Sequence, residues 1–182
     1  MSLARSALVA LITLLTACSV IQGRVGPDRV ADGPPQALGL PATGPIIVIG
    51  QGVSHGVEWR YSVYESAEGW CTQLETGGGG GSGCGGDLVP APGSVFGSYG
   101  WGSGGNDPVT AEGTVTADAV AVNAIGADGR RFNAVLMGFQ RVGFDTQAFV
   151  VLAPPGTDLD SLVALDANGE VLAREELNGP LG

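Results

Sequence analysis

A chain of 182 residues is long enough for one domain with a real core and short for two. Its 32 glycines and 11 prolines, with only 14% charged residues, argue against a helical bundle and fit a loop-rich β protein. Eight basic residues, all arginine, stand against 18 acidic ones for a formal charge of −10, which argues against nucleic acid or an anionic membrane surface as partner.

Met1 to Arg5 makes a short positive start, Ala7 to Leu15 a compact apolar run, and Leu15-Thr16-Ala17-Cys18 follows at once. About eleven apolar residues are too few to cross a hydrocarbon layer of about 30 Å as a permanent helix, but they suit a cleaved export signal. Small residues before a cysteine, directly after that run, resemble the lipobox of bacterial lipoproteins, whose cysteine receives a diacylglycerol and becomes the first mature residue. The resemblance implies that residues 1–17 are a signal helix that is removed and that Cys18 is lipidated. It also implies that the protein sits on the extracytoplasmic face of the cell membrane through its lipid anchor; two or more acyl chains make such attachment stable. An ordinary signal peptide with an incidental cysteine is the alternative.

Residues 18–44 carry proline and glycine every few positions with scattered charge, the composition of a semi-extended, disordered tether. The folded domain is expected over 45–182. Pro45 to Ile49 reads as a short apolar strand, and Gly52-Val53-Ser54-His55-Gly56 then matches the G-x-S-x-G nucleophile elbow. The elbow needs a strand followed by a helix and a separate histidine for the triad. The residues that follow alternate like a strand and His55 is the only histidine, so the motif reads as a loop.

From Val57 to Val63 the odd positions are Val, Trp, Tyr and Val with Glu58, Arg60 and Ser62 between them, a period of two that puts an apolar wall on one side of a strand. Ala67-Glu68-Gly69 makes a turn, and Trp70 to Thr76 a second strand. Five consecutive glycines then lead to Ser82-Gly83-Cys84, read as a floppy loop. With Cys18 acylated, Cys71 and Cys84 are left as the one pair for a disulfide in an oxidising compartment. A phosphate-binding loop would need Lys-Ser/Thr where Asp87-Leu88 stands, and a site from Cys71, Cys84 and His55 lacks the short ligand spacing of a metal centre.

Leu88 to Gly105 mixes aromatics with glycine and serine; a strand is expected over Val95 to Trp101, and Tyr99 and Trp101 are the candidate binding surface for a glycan or peptide. Packing of both onto the core is the plainer reading. The second half is regular: strands at Thr110 to Thr116, Ala119 to Ile125, Arg131 to Phe139, Gln147 to Leu152, Ser161 to Leu165 and Glu170 to Arg174. Asp128-Gly129 and Asn168-Gly169 supply hairpin turns. About nine antiparallel strands at short intervals predict an all-β sandwich. The run from Gly56 to Gly85 with Thr114 to Val122, and the closing Phe149 to Leu172 stretch, resemble domains of unknown function in actinobacterial secreted proteins and lipoproteins. That resemblance covers roughly 52–175, implies an immunoglobulin-like sandwich with a disulfide, and carries over no catalytic residue.

The sequence therefore predicts a non-enzymatic interaction or sensing module at the cell envelope, with a membrane and a protein as partners and no cofactor or metal. The alternative is a small-ligand or glycan-binding lipoprotein. Acid pairs such as Glu65 with Glu68 or Asp158 with Asp160 fall in turns, where solvent exposure is the simpler account than glycosidase chemistry.

Overall fold

The structure is a computed structural model that describes residues 34–77, 79–86, 88–102 and 107–177. Cys18, the signal segment 1–17 and the first part of the expected tether lie outside these residues. Twelve strands form three antiparallel sheets of four, with one short 3-10 turn at Gln140–Val142. Sheet 1 runs in the order β1 (Ile47–Ser54), β2 (Val57–Ser66), β3 (Gly69–Thr76), β4 (Gly79–Gly86). Sheet 2 is β5 (Phe96–Gly102), β6 (Val109–Thr116), β10 (Thr146–Ala153), β9 (Val135–Gly138). Sheet 3 is β12 (Val171–Glu176), β11 (Leu159–Leu165), β7 (Ala121–Gly126), β8 (Arg131–Asn133).

The expected all-β sandwich is present, with twelve strands rather than about nine and with three sheets where an immunoglobulin-like sandwich has two. Sheet 2 is the middle layer, because its strands bury both faces. On β10, Phe149, Val151 and Ala153 enter the core shared with sheet 3, while Ala148, Val150 and Leu152 enter the core shared with sheet 1. A strand buried on both sides has no reason to alternate, and TQAFVVLA does not.

Two departures from the sequence reading account for the extra strands. Arg131 to Phe139 is not one strand: β8 pairs with β7 in sheet 3, then the chain crosses at Ala134 and β9 pairs with β10 in sheet 2. The glycine run is not a loop either. From Gly79 onward it is β4, paired along β3 from Thr76↔Gly79 to Trp70↔Gly86. Glycine brings no β-propensity of its own; the neighbouring strand and the covalent link between Cys71 and Cys84 (S–S 2.07 Å) impose the conformation.

The hairpin turns follow the signals in the sequence. Asp128 accepts from the Arg130 backbone N–H at 3.0 Å, and Asp166 accepts from Asn168 and Glu170, each at 2.8 Å. These backbone donors hold both carboxyls below the usual carboxylate range. Gly129 and Gly169 sit at φ 79° and 80°, where a Cβ would be strained. Ser54 ends β1 and His55-Gly56 turns directly into β2, so G-x-S-x-G lies in a strand–turn–strand and lacks the helix of a nucleophile elbow.

The outer face of sheet 1 is covered by residues 36–43. Buried Gln73 holds this strap from both ends of its amide, accepting from Leu38 N–H at 3.1 Å and donating to the Gln36 carbonyl at 3.0 Å. Thr43 N–H reaches the Glu65 carbonyl at 2.8 Å, and Ala42 bridges Ser66. On the same face, Arg60 and Glu75 form a largely buried pair at 2.6 and 2.8 Å.

Candidate functional site: a glycine-walled cleft

Sheets 1 and 2 are not closed to the same degree on their two sides. On the β1 and β9 side they meet tightly: Trp59 lies against Gly50 and Gly52, and a Cβ at Gly50 would collide with the Met137 sulfur. On the opposite side the edge strands β4 and β5 stand apart, and a cleft of about 510 Å³ opens between them. That is the size of a small-molecule site.

Strand alternation explains the opening. Facing sheets sit about 10 Å apart and side chains from both normally fill the space. The β4 positions that share a face with Leu74 of β3 are Gly79, Gly81 and Gly83, as the register Leu74↔Gly81 and Thr72↔Gly83 requires. Across the gap, Gly100 and Gly102 of β5 are likewise bare. None of these glycines is there to avoid a clash. A Cβ would meet nothing within 4 Å at Gly79, Gly100 or Gly102, only Glu112 Oε1 at 3.8 Å at Gly81, and only Thr72 Oγ1 at 4.0 Å at Gly83. Outward-facing Gly80 differs, since its Cβ would strike the Leu74 carbonyl at 2.7 Å and Leu38 at 2.9 Å. Side chains would fit the cleft wall, and the sequence omits them.

The floor is polar. Glu112 projects from β6 into the cleft, with Thr72, Thr76 and Thr110 around it. It is half-buried, and its carboxyl makes no hydrogen bond or ion pair among the described residues. Loss of water with no compensating partner pushes its pKa from an ordinary 4.5 up to about 7. Behind it lies Tyr61, fully buried, whose hydroxyl makes no well-aligned hydrogen bond among the described residues. Burial pushes the Tyr61 phenol up, and the charge of Glu112 adds to this while Thr72 opposes it. A smaller cavity of about 100 Å³ adjoins the cleft through Thr72, Gly83 and Ser98 and reaches the buried Thr114 hydroxyl, which has no hydrogen-bond partner among the described residues.

Of the residues singled out in the sequence, Cys71 and Cys84 are bonded on the outer face of β3 and β4, which fixes the cleft wall from behind and leaves neither thiol for a metal. Among the described residues no group of His, Cys, Asp or Glu is arranged to hold a metal ion. Tyr99 and Trp101 stand at the cleft wall, but alternation along β5 turns their rings toward the core shared with sheet 3. There they stack on each other at 6.3 Å, and burial together with the nearby Glu175 carboxylate raises the Tyr99 phenol. Trp59 lies on the closed side, away from the cleft.

Sequence reasoning did not single out Glu112. The available signal was one acid in the middle of an otherwise uncharged strand, VTAEGTVT. No helix among the described residues is long and apolar enough to cross a membrane. No protein-family model matches the chain, and neither does any curated protein or solved structure.

Proposed function

We propose that this chain is an exported, lipid-anchored binding protein of the cell envelope that holds a small ligand in the cleft between β4 and β5 without transforming it. The observation that carries the reading is the cleft wall itself. Five glycines with room for side chains keep about 510 Å³ open in a position where a sandwich ordinarily fills its interior. An unfilled space costs dispersion contacts, and the disulfide behind the wall holds open what the packing does not. The half-buried acid and the hydroxyls of the floor give orientation to a bound molecule. None of these hydroxyls is hydrogen-bonded to the acid among the described residues, an arrangement suited to holding a molecule rather than to activating a nucleophile.

Gly81→Val tests the cleft. A Cβ at this position meets only the Glu112 carboxyl at 3.8 Å, and valine brings the β-propensity that glycine lacks, so stability is expected to hold or rise slightly. Ligand-observed NMR against a fragment library should find compounds that bind the wild type, shift the amides of Gly79 to Gly83, and lose binding in the variant. Fragments that bind both proteins equally would place the site elsewhere.

The anchor is tested separately by Cys18→Ser. Lipidation at Cys18 predicts that the variant leaves the membrane fraction and no longer incorporates an alkyne-labelled fatty acid. Retention of label would assign the lipid to another residue.

A further inference from the structure

We infer that the ligand of this cleft carries a cationic nitrogen, an ammonium or guanidinium, that docks against Glu112; the inference rests on the cleft being the binding site. Charge is the one property of the ligand that the lining specifies. Among the described residues Glu112 and Asp107 are the only carboxylates that line the cleft, and no arginine or histidine does. The basic group nearest in sequence to the site, Arg60 on β2, sits on the opposite face of sheet 1 and is engaged with Glu75. An anion placed here would face two acids with nothing to balance them.

The polar floor is compatible with the same sign. Thr72, Thr76 and Thr110 line the cleft with Glu112, and each hydroxyl oxygen can accept from an N–H donor. A carboxylate with hydroxyls beside it makes a receptor for N–H donors. A cation on Glu112 would also replace the water that burial removes from it, turning a half-buried acid with no partner among the described residues into a charge-assisted pair.

No basic group faces Glu112 among the described residues, so its own ionisation sets the charge it offers a ligand. β3 presents Thr72, Leu74 and Thr76, β4 presents glycine, β2 contributes the Tyr61 phenol, and Asp107 stands beside β6. The ring of Tyr99 is on the far side of β5. Binding should therefore follow the Glu112 carboxylate. With its pKa at about 7, the ionised share falls about tenfold between about pH 8 and about pH 6.

The test uses two probes of one shape, butylguanidinium and the neutral butylurea, titrated into the folded domain while the amides of Gly79 to Gly83 are followed by NMR. The expected result is saturable binding of butylguanidinium that weakens about tenfold between about pH 8 and about pH 6, with butylurea much weaker. Glu112→Gln should abolish the difference between the probes. Equal binding of both probes, unchanged in Glu112→Gln, would overturn the cationic ligand and leave the cleft as a site for neutral molecules. Butylguanidinium that shifts no cleft amide would overturn it as well, and the fragment screen against Gly81→Val would then decide whether the cleft binds anything.

Discussion

Replacing Cys71 and Cys84 together by alanine is expected to lower the stability of the folded domain by about 3 kcal/mol, or about 5–10 °C in melting temperature. The bridge closes a segment of 13 residues, and on the chain-entropy account a loop of that length contributes about this much through the unfolded state. The composition of the bridged strand concentrates the effect. Six of the eight residues in GGGSGCGG are glycine, so β4 has more backbone entropy to lose on ordering than any other strand and almost no side chain to bury in return. Without the bridge, β4 keeps its ladder to β3 and the contacts of Gly39 with Ser82 and of Leu38 with Gly80. Amide exchange should therefore rise first and most at 79–86, ahead of global unfolding, while β10 stays protected. Chemical denaturation and hydrogen exchange of the double variant measure both effects. Uniform exchange across all three sheets would show that the ladder alone holds the cleft wall.

Glu112→Gln is expected to stabilise the protein at neutral and alkaline pH and to leave it unchanged in acid. In the folded state the Glu112 pKa rises from 4.5 to about 7. Between those two values the unfolded chain has released its proton and the folded chain still holds it, so stability falls as pH rises through that window and is level above it. The full shift corresponds to about 3 kcal/mol, and solvent access to a half-buried carboxyl reduces this to about 2 kcal/mol. Asp128 and Asp166 act in the opposite sense, since their lowered values add stability that is lost only as pH falls through the acid range. The difference between wild type and variant isolates Glu112 from them. Thermal melts of both proteins from about pH 4 to about pH 8.5 should coincide at the acid end and diverge by several degrees at the other. Parallel curves would mean that Glu112 titrates like a surface acid.

The parts of this fold legible from sequence are those decided by local chemistry. Alternation from Val57 to Val63 locates β2, Asp128-Gly129 and Asn168-Gly169 locate two hairpins, and the expectation that Cys18 is acylated leaves Cys71 and Cys84 as the pair that the structure bonds. The glycine strand was not legible, because its conformation is set by β3 and by the bridge rather than by its own side chains. Nor was the crossover at Ala134, where Arg131 to Phe139 keeps one strand-like pattern while changing sheets. Glu112 shows why sites of this kind escape a linear reading. On a two-layer sandwich an acid alternating with Ala111 and Gly113 would face water. Here sheet 1 covers that face, and only the pairing of whole sheets determines it.

The strap at 36–43 has a mechanical consequence. Gln73 grips it beside the bridged cysteines, and Thr43 ties it to the end of β2. Tension on the chain preceding the strap therefore enters the domain at β2 and β3, on the far face from the opening. Traction from that side would load the disulfide-bridged strand β3 and its neighbour β2 ahead of the mouth of the cleft.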